Sequence, residues 1–165
     1  MTRFYKFMAT GFGSGWLPAA PGTWGASVAV LMLYPLYLLK LDSYQTNLIL
    51  CLSIVLFTWI GVKACDALEN EWGEDPKHVV IDEMIGVWIA LLGHPLSIFH
   101  IVGAFILFRF FDIAKPLGIR QLENIKGGWG VMLDDVVAGV YANIVLQIMY
   151  YIMFAWGGYY VGQIN

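Results

Sequence analysis

Sixteen consecutive residues, Asn47 to Val62 (NLILCLSIVLFTWIGV), carry no charge at all. Ala26 to Leu41 is as apolar, broken only by Lys40, and Val136 to Phe154 is a third such run, with Asn143 and Gln147 its strongly polar members. Runs of about 16 residues are at the short end of what crosses a hydrocarbon layer roughly 30 Å thick. Composition decides between lipid and a buried core. The 165 residues have a mean hydropathy of +0.69, with 59% hydrophobic and 13% charged residues, against about 25% charged in ordinary soluble domains. A soluble fold this small keeps too much surface to hide so many apolar groups. The expected architecture is therefore an all-α integral membrane bundle, one domain over residues 1–165, with about three spanning helices. A tight turn around Asp42–Thr46 is expected to join the first two. Trp156, Tyr159 and Tyr160 are expected to form an interfacial aromatic belt after the third.

The net charge of −3 gives no footprint for nucleic acid. Cys51 and Cys65 show neither disulfide nor metal-ligand spacing and are expected to be small buried hydrophobes. Arg3 and Lys6 are not followed by a signal-peptide core, so the membrane segments themselves are expected to direct insertion. Seventeen of the 21 charged residues lie between Lys63 and Asp135. Charge is thus sequestered.

Residues 84–111 determine where that charge goes. The run is apolar but interrupted by Gly93, His94 and Pro95. One kinked span would put Asp82 and Glu83 on one membrane face and Asp112 on the other. Two half-length helices, 84–92 and 97–111, would re-enter and bring both to the same face. The second arrangement places Arg3, Lys6, Lys63, Lys77, Arg109, Lys115, Arg120 and Lys126 on the cytoplasmic side and only Lys40 outside, as the positive-inside rule favours. Backbone turning at membrane depth must be buried in protein, so the His94–Pro95 turn is expected to pack against other helices.

Five acids stand at the edges of apolar segments: Asp82, Glu83, Asp112, Asp134 and Asp135. Ionisable groups there are functional candidates. Helix capping is the plainer reading of each pair, although two pairs plus Asp112 exceed what caps require. Such hard carboxylates suit Mg²⁺. Zinc is not indicated, since His78, His94 and His100 have no zinc-ligand spacing. His94 and His100 are expected to be structural, and His78 a candidate for proton transfer or support of the site. Asp66 and Glu69, one turn apart, are candidate additional metal ligands or supporting groups.

Arg109, Asp112 and Lys115 recur at i, i+3 and i+6, so all three can line one groove. Simple ion pairing on a wet helix face is the alternative. A guanidinium fork and a lysine point charge beside metal-binding acids are what a phosphate needs. The stretch 11–25 (GFGSGWLPAAPGTWG) is expected to be irregular, because Pro18 and Pro21 each remove a donor and restrict the preceding residue. Its accessible backbone N–H groups, with the Ser14 and Thr23 hydroxyls, can cradle phosphate, although a plain interfacial linker reads equally well. No nucleophile motif of the common phosphatase or hydrolase classes is present. A metal-activated water with a carboxylate base is the mechanism these residues allow.

Three blocks carry a resemblance: GSGWLPAAPGTWG, VVIDEMIGVWIA and FRFFDIAKPLGIRQLENIKGGWGVMLDDVVAG. Together they make the chain similar, over nearly its whole length, to the phosphatidylglycerophosphatase A family of bacterial membrane lipid phosphatases. The resemblance implies an all-helical fold. It also implies Mg²⁺-dependent hydrolysis of phosphatidylglycerophosphate to phosphatidylglycerol and inorganic phosphate, at the cytoplasmic face of the inner membrane. The family's acidic motifs fall on Asp82, Glu83, Asp112, Asp134 and Asp135. Its basic positions fall on Arg109, Lys115, Arg120 and Lys126, with Thr23 in the amino-terminal motif.

The roles follow from charge and not from the resemblance: Asp82, Glu83, Asp134 and Asp135 are expected to hold Mg²⁺, and Arg109 and Lys115 to clamp the phosphoryl group. Asp112 is expected to serve as a further ligand or as general base. Arg120 and Lys126 are expected at the bridging phosphodiester. The expected partners are the lipid and the bilayer. An ion-coupled transporter is the main alternative, because intramembrane acids and a broken helix also describe carriers. Transport, however, needs its charges at mid-span. A head-group transferase would need a D-G-x-x-A-R pattern, which is absent, and a non-catalytic scaffold would not need so many paired acids and bases.

Overall fold

The computed structural model describes residues 1–73 and 76–161, apart from the side chains of Glu123 and residues 156–161. The side chains of Trp156, Tyr159 and Tyr160 thus lie outside the described part. The described residues form seven α-helices and no strand: α1 Thr2–Ala9, α2 Pro21–Leu31, α3 Tyr34–Leu38, α4 Ser43–Trp72, α5 Ile81–Leu91, α6 Ile98–Ala114 and α7 Gly128–Val161, with 3₁₀ turns at Ser14–Trp16 and Ile119–Asn124.

Two boundaries differ from expectation. Asp42 does not sit in a turn running to Thr46. It caps α4 through a capping box, its carboxylate accepting the Gln45 N–H at 2.7 Å while the Gln45 side chain accepts the Asp42 N–H at 3.3 Å, which satisfies two orphan donors reciprocally. The helix then runs for 30 residues, about 45 Å at 1.5 Å per residue. Its apolar half is long enough to fill a hydrocarbon layer, and the polar stretch Lys63 to Trp72 continues the same helix. The run Ala26–Leu41 is likewise not one helix. Helix α2 starts at Pro21, inside the stretch expected to be irregular, because a proline in the first turn loses no needed hydrogen bond. It ends at Leu31, and the five-residue α3 follows. Among the described residues, two helices are long and apolar enough to cross a membrane: α4, and α7 over Gly128–Ala155.

Beyond Asp82 and Glu83 in its first turn, helix α5 is apolar all round and correspondingly central: Ile81, Asp82, Met84 to Trp88, Ala90 and Leu91 are buried, with α2, α4, α6 and α7 packed around it. Polar groups and close contacts fasten it. Trp88 Nε1–H donates to the Ala29 carbonyl of α2 at 3.1 Å. The Asn143 amide of α7 donates to the carbonyls of Ile89, Ala90 and Leu92 at 2.7–3.1 Å, satisfying groups that a helix end leaves orphaned. Lower on the same crossing, a Cβ at Gly139 would stand 2.6 Å from the Gly86 carbonyl oxygen, so α5 and α7 approach backbone to backbone, as small residues allow between membrane helices.

After α5 the chain turns at Gly93–Leu96, where Asn47 of α4 accepts the Gly93 N–H at 2.7 Å. His94 and His100 are buried here, and the His100 ring nitrogen Nδ1 lies 2.8 Å from the Ser97 hydroxyl. Helix α6 then returns, and its charged end meets the start of α5. The exterior is apolar: Leu48, Leu52, Val55 and Trp59 on α4, Ile106 and Ile113 on α6, and Ile144, Ile148 and Tyr151 on α7 are exposed. Exposed apolar surface on this scale marks an apolar partner. Cys65 is buried, but Cys51 faces outward with this surface and is not a core residue.

Candidate active site

At the end where α5 begins and α6 stops, a cavity of about 660 Å³ holds all five acids, Asp82, Glu83, Asp112, Asp134 and Asp135, together with Arg109, Lys115 and Lys126. Each element supplies its part for a local reason. Helix α5 places Asp82 and Glu83 in its first turn without a side-chain cap bond, and Asp82 Oδ1 accepts the adjacent Glu83 N–H at 3.1 Å. Helix α7 begins at Gly128, not at Asp134, so Asp134 and Asp135 lie in its second turn. The α5 pair thus has the first-turn position that the helix dipole favours but makes no cap bond, whereas the α7 pair lies beyond the first turn.

The basic residues are engaged with these acids. Arg109 Nη1 lies 2.6 Å from Asp112 Oδ2 and 3.9 Å from Glu83 Oε1. The Arg109–Asp112 pair does have the i,i+3 spacing of simple helix pairing, but it stands on the cavity wall with side chains only about 15% exposed. Lys115 leaves the ladder. It is the C-cap of α6 in the left-handed region (φ 43°, ψ 52°), a costly conformation for a residue with a side chain, of the kind that collects at functional sites. From there its Nζ reaches Asp134 Oδ2 at 2.5 Å.

Three of the acids converge. Asp82, Glu83 and Asp135 each offer a carboxylate oxygen, and these lie within 4.8 Å of one another. Buried oxygens of Glu83 (Oε2), Asp134 (Oδ1) and Asp135 (Oδ1) have no hydrogen-bond partner. Burial pushes the Asp82 carboxyl well above its ordinary range, and the neighbouring Glu83 adds to the effect. Burial likewise pushes Glu83 up to about 8 despite the help of Asp82 and Arg109, with the Asp135 and Asp112 charges opposing its ionisation. Five clustered carboxylates outnumber the paired cations Arg109 and Lys115, so their joint ionisation calls for further positive charge. Hard oxygen donors of this number fit Mg²⁺ or a similar divalent ion.

Other expected residues fall elsewhere. Thr23 does not line the cavity, although Ala20, Pro21 and Gly22 just before it do. Arg120 is exposed and outside the lining, while Lys126 is within it. Asp66 and Glu69 are not cavity residues: Asp66 Oδ1 instead accepts the Gly128 N–H at the start of α7, at 2.7 Å. His78 is also outside. Its ring stacks on Trp16 at 4.3 Å and meets the edge of Trp72 at 4.3 Å, and burial lowers its pKa. His94 and His100 belong to the far turn, as expected of structural residues.

Lys77 and Gly22 are among the lining residues to which the sequence reading assigns no individual role in the site. Lys77 counts there only among the cytoplasmic cations. Gly22 carries a stronger signal, a glycine in a first helical turn: a Cβ there would stand 2.2 Å from Glu83 Oε1 and 2.8 Å from Arg109 Nη1, so the glycine leaves room for the acid–base pair. The acids gather at helix ends around one cavity, not at mid-span, and the transporter alternative finds no support.

The fold and site define a helical membrane-type phosphatase with a carboxylate-rich pocket at one end. The chain belongs to the Phosphatidylglycerophosphatase A family, whose profile matches residues 7–150. A Bacteroides thetaiotaomicron relative, provisionally named phosphatidylinositol-3-phosphatase, is 50% identical over 144 residues, covering 86% of this chain and 90% of that one. Proteins named Phosphatidylglycerophosphatase A from Escherichia coli and Haemophilus influenzae are 38% and 39% identical, covering 94% and 88% of this chain and 87% and 88% of theirs. No solved structure matches.

Proposed function

We propose that this protein hydrolyses the terminal phosphomonoester of phosphatidylglycerophosphate, with Mg²⁺, at the cytoplasmic face of a bacterial inner membrane. One observation carries the reading: Asp82, Glu83 and Asp135 converge within 4.8 Å in the cavity that also holds Arg109 and Lys115. The names of two relatives support the substrate.

Asp82, Glu83 and Asp135 would hold the ion, with Asp134 beside them. Bound there, the ion would supply a Lewis acid for the phosphoryl oxygens and a lowered pKa for an attacking water. A phosphomonoester carries nearly two negative charges at neutral pH. Arg109 offers it a planar fork and Lys115 a point charge, both already oriented by Asp112 and Asp134, so little reorganisation is needed as charge shifts in the transition state. Asp112 would accept the proton of the attacking water. Helices α4 and α7 would span the bilayer, with the α5–α6 hairpin entering from the cytoplasmic side and returning. The substrate's acyl chains would remain in lipid.

The 50% identical relative favours a second reading, in which the phosphorylated polyol is inositol. The test is phosphate release in neutral-detergent micelles from phosphatidylglycerophosphate, phosphatidylinositol 3-phosphate and phosphatidic acid, with Mg²⁺ or chelator. Release from the first substrate, abolished by chelator, is expected. Chelator-insensitive release would overturn the metal mechanism, and preference for the inositol lipid would establish the second reading.

A further inference from the structure

The cavity is larger than one phosphoryl group needs, falling within the roughly 300–1,000 Å³ that accommodates a whole small ligand. Its inner cations are already engaged, Arg109 with Asp112 and Glu83, and Lys115 with Asp134. Two further lysines line it. Lys77 comes from the α4–α5 connection and Lys126 from the α6–α7 connection, both are exposed, and neither makes an ion pair among the described residues.

The residues that follow each lysine are tied down. Next to Lys77, His78 is held between Trp16 and Trp72, and two residues on, the Val80 N–H donates to the Ala9 carbonyl at 2.8 Å. Two residues after Lys126, the Gly128 N–H is bound by Asp66 at 2.7 Å. Each connection thus presents at the cavity rim an ammonium group that makes no ion pair among the described residues. That is where a ligand whose phosphomonoester sits among the inner acids would present the rest of its head group.

We infer that Lys77 and Lys126 together bind the phosphodiester linking the lipid's glycerol backbone to the phosphorylated polyol, so the site selects lipids that carry a second, internal phosphate. The inference rests on the phosphomonoesterase reading above. A diester bears one negative charge and no proton, and lysine meets it as a point charge without needing a fixed fork geometry. Phosphatidylglycerophosphate and phosphatidylinositol 3-phosphate both carry this diester, whereas phosphatidic acid does not. The rim would therefore read the linkage, and the polyol would be read elsewhere.

The experiment compares the full-length protein with the Lys77→Ala/Lys126→Ala double variant in neutral-detergent micelles, with Lys40→Ala at the opposite end as control. The first readout is kcat/KM for phosphatidylglycerophosphate divided by that for phosphatidic acid. This ratio is expected to fall at least tenfold in the double variant, through KM for the diester lipid, and to stay unchanged in Lys40→Ala. An unchanged ratio, with both substrates slowed equally, would overturn the inference by showing general attraction to anions. The second readout, binding of phosphatidylglycerol over diacylglycerol, which lacks the diester, requires no catalysis. The double variant is expected to lose that preference, and retention would overturn the inference. A wild-type protein that hydrolyses neither lipid would defeat the phosphatase reading alone, leaving the binding result to decide the role of the lysines.

Discussion

Lys115 Nζ lies 2.5 Å from Asp134 Oδ2, joining the end of α6 to the second turn of α7 from a left-handed backbone. Both side chains are mostly buried, so water compensates only poorly for a lost partner. Lys115→Met is expected to cost about 3 kcal/mol of stability, the scale for leaving one member of a buried pair uncompensated. It is also expected to lower kcat/KM at least a hundredfold, as removal of one preorganised charge does. Thermal unfolding in detergent and phosphate-release kinetics would measure the two effects. Unchanged kinetics would remove Lys115 from the site.

Asp82 is crowded by Glu83 and Asp134. Asp82→Asn relieves that crowding and removes a candidate ligand. The chelated variant is expected to melt at or above the chelated wild type, to gain little stability from Mg²⁺, and to lose more than a hundredfold in activity. A variant that retained a full Mg²⁺-dependent rise in melting temperature would exclude Asp82 as a ligand.

Glu83 is held up at about 8 in the folded protein, against about 4.3 for an unperturbed side chain. Between those values the folded state binds the proton and the unfolded state does not, so folding stability falls as pH rises. With chelator present, the melting temperature is expected to decline from about pH 5 to pH 8, and saturating Mg²⁺ is expected to flatten that decline. A metal-free melting temperature that rose over this interval would contradict the placement of Glu83.

Gly22 leaves room for Glu83 and Arg109, and Gly22→Ala would place a Cβ 2.2 Å from Glu83 Oε1. Overpacking of this kind costs about 1–3 kcal/mol, and here it would displace the acid–base pair. A drop in kcat of at least tenfold is expected, with helix content by circular dichroism preserved. Full activity would mean that the pair can move without consequence.

Much of the site was legible from residue types. The three segments bearing Asp82-Glu83, Arg109-Asp112-Lys115 and Asp134-Asp135 do meet in one cavity, because charge that cannot enter lipid is driven to helix ends. Lys126 lines the same cavity. Asp66 was legible as a polar helix residue, but its use, binding the Gly128 N–H, depends on a contact 62 residues away in the chain. Thr23 and Arg120 fall outside the cavity for a similar reason: adjacency in a motif does not fix which way a neighbouring side chain points.

The chain's apolar runs and sequestered charge determined by themselves an all-helical, lipid-compatible fold and a polar site at helix ends, since hydrophobic period and the cost of buried charge are local properties. Tertiary structure decided the rest. It put α5 at the centre, divided the first expected span into α2 and α3, and ran α4 past its apolar half. It also paired Lys115 with Asp134 while leaving Asp82, Glu83 and Asp135 to converge. Those outcomes depend on which helices pack together, and packing is set by the summed fit of distant residues.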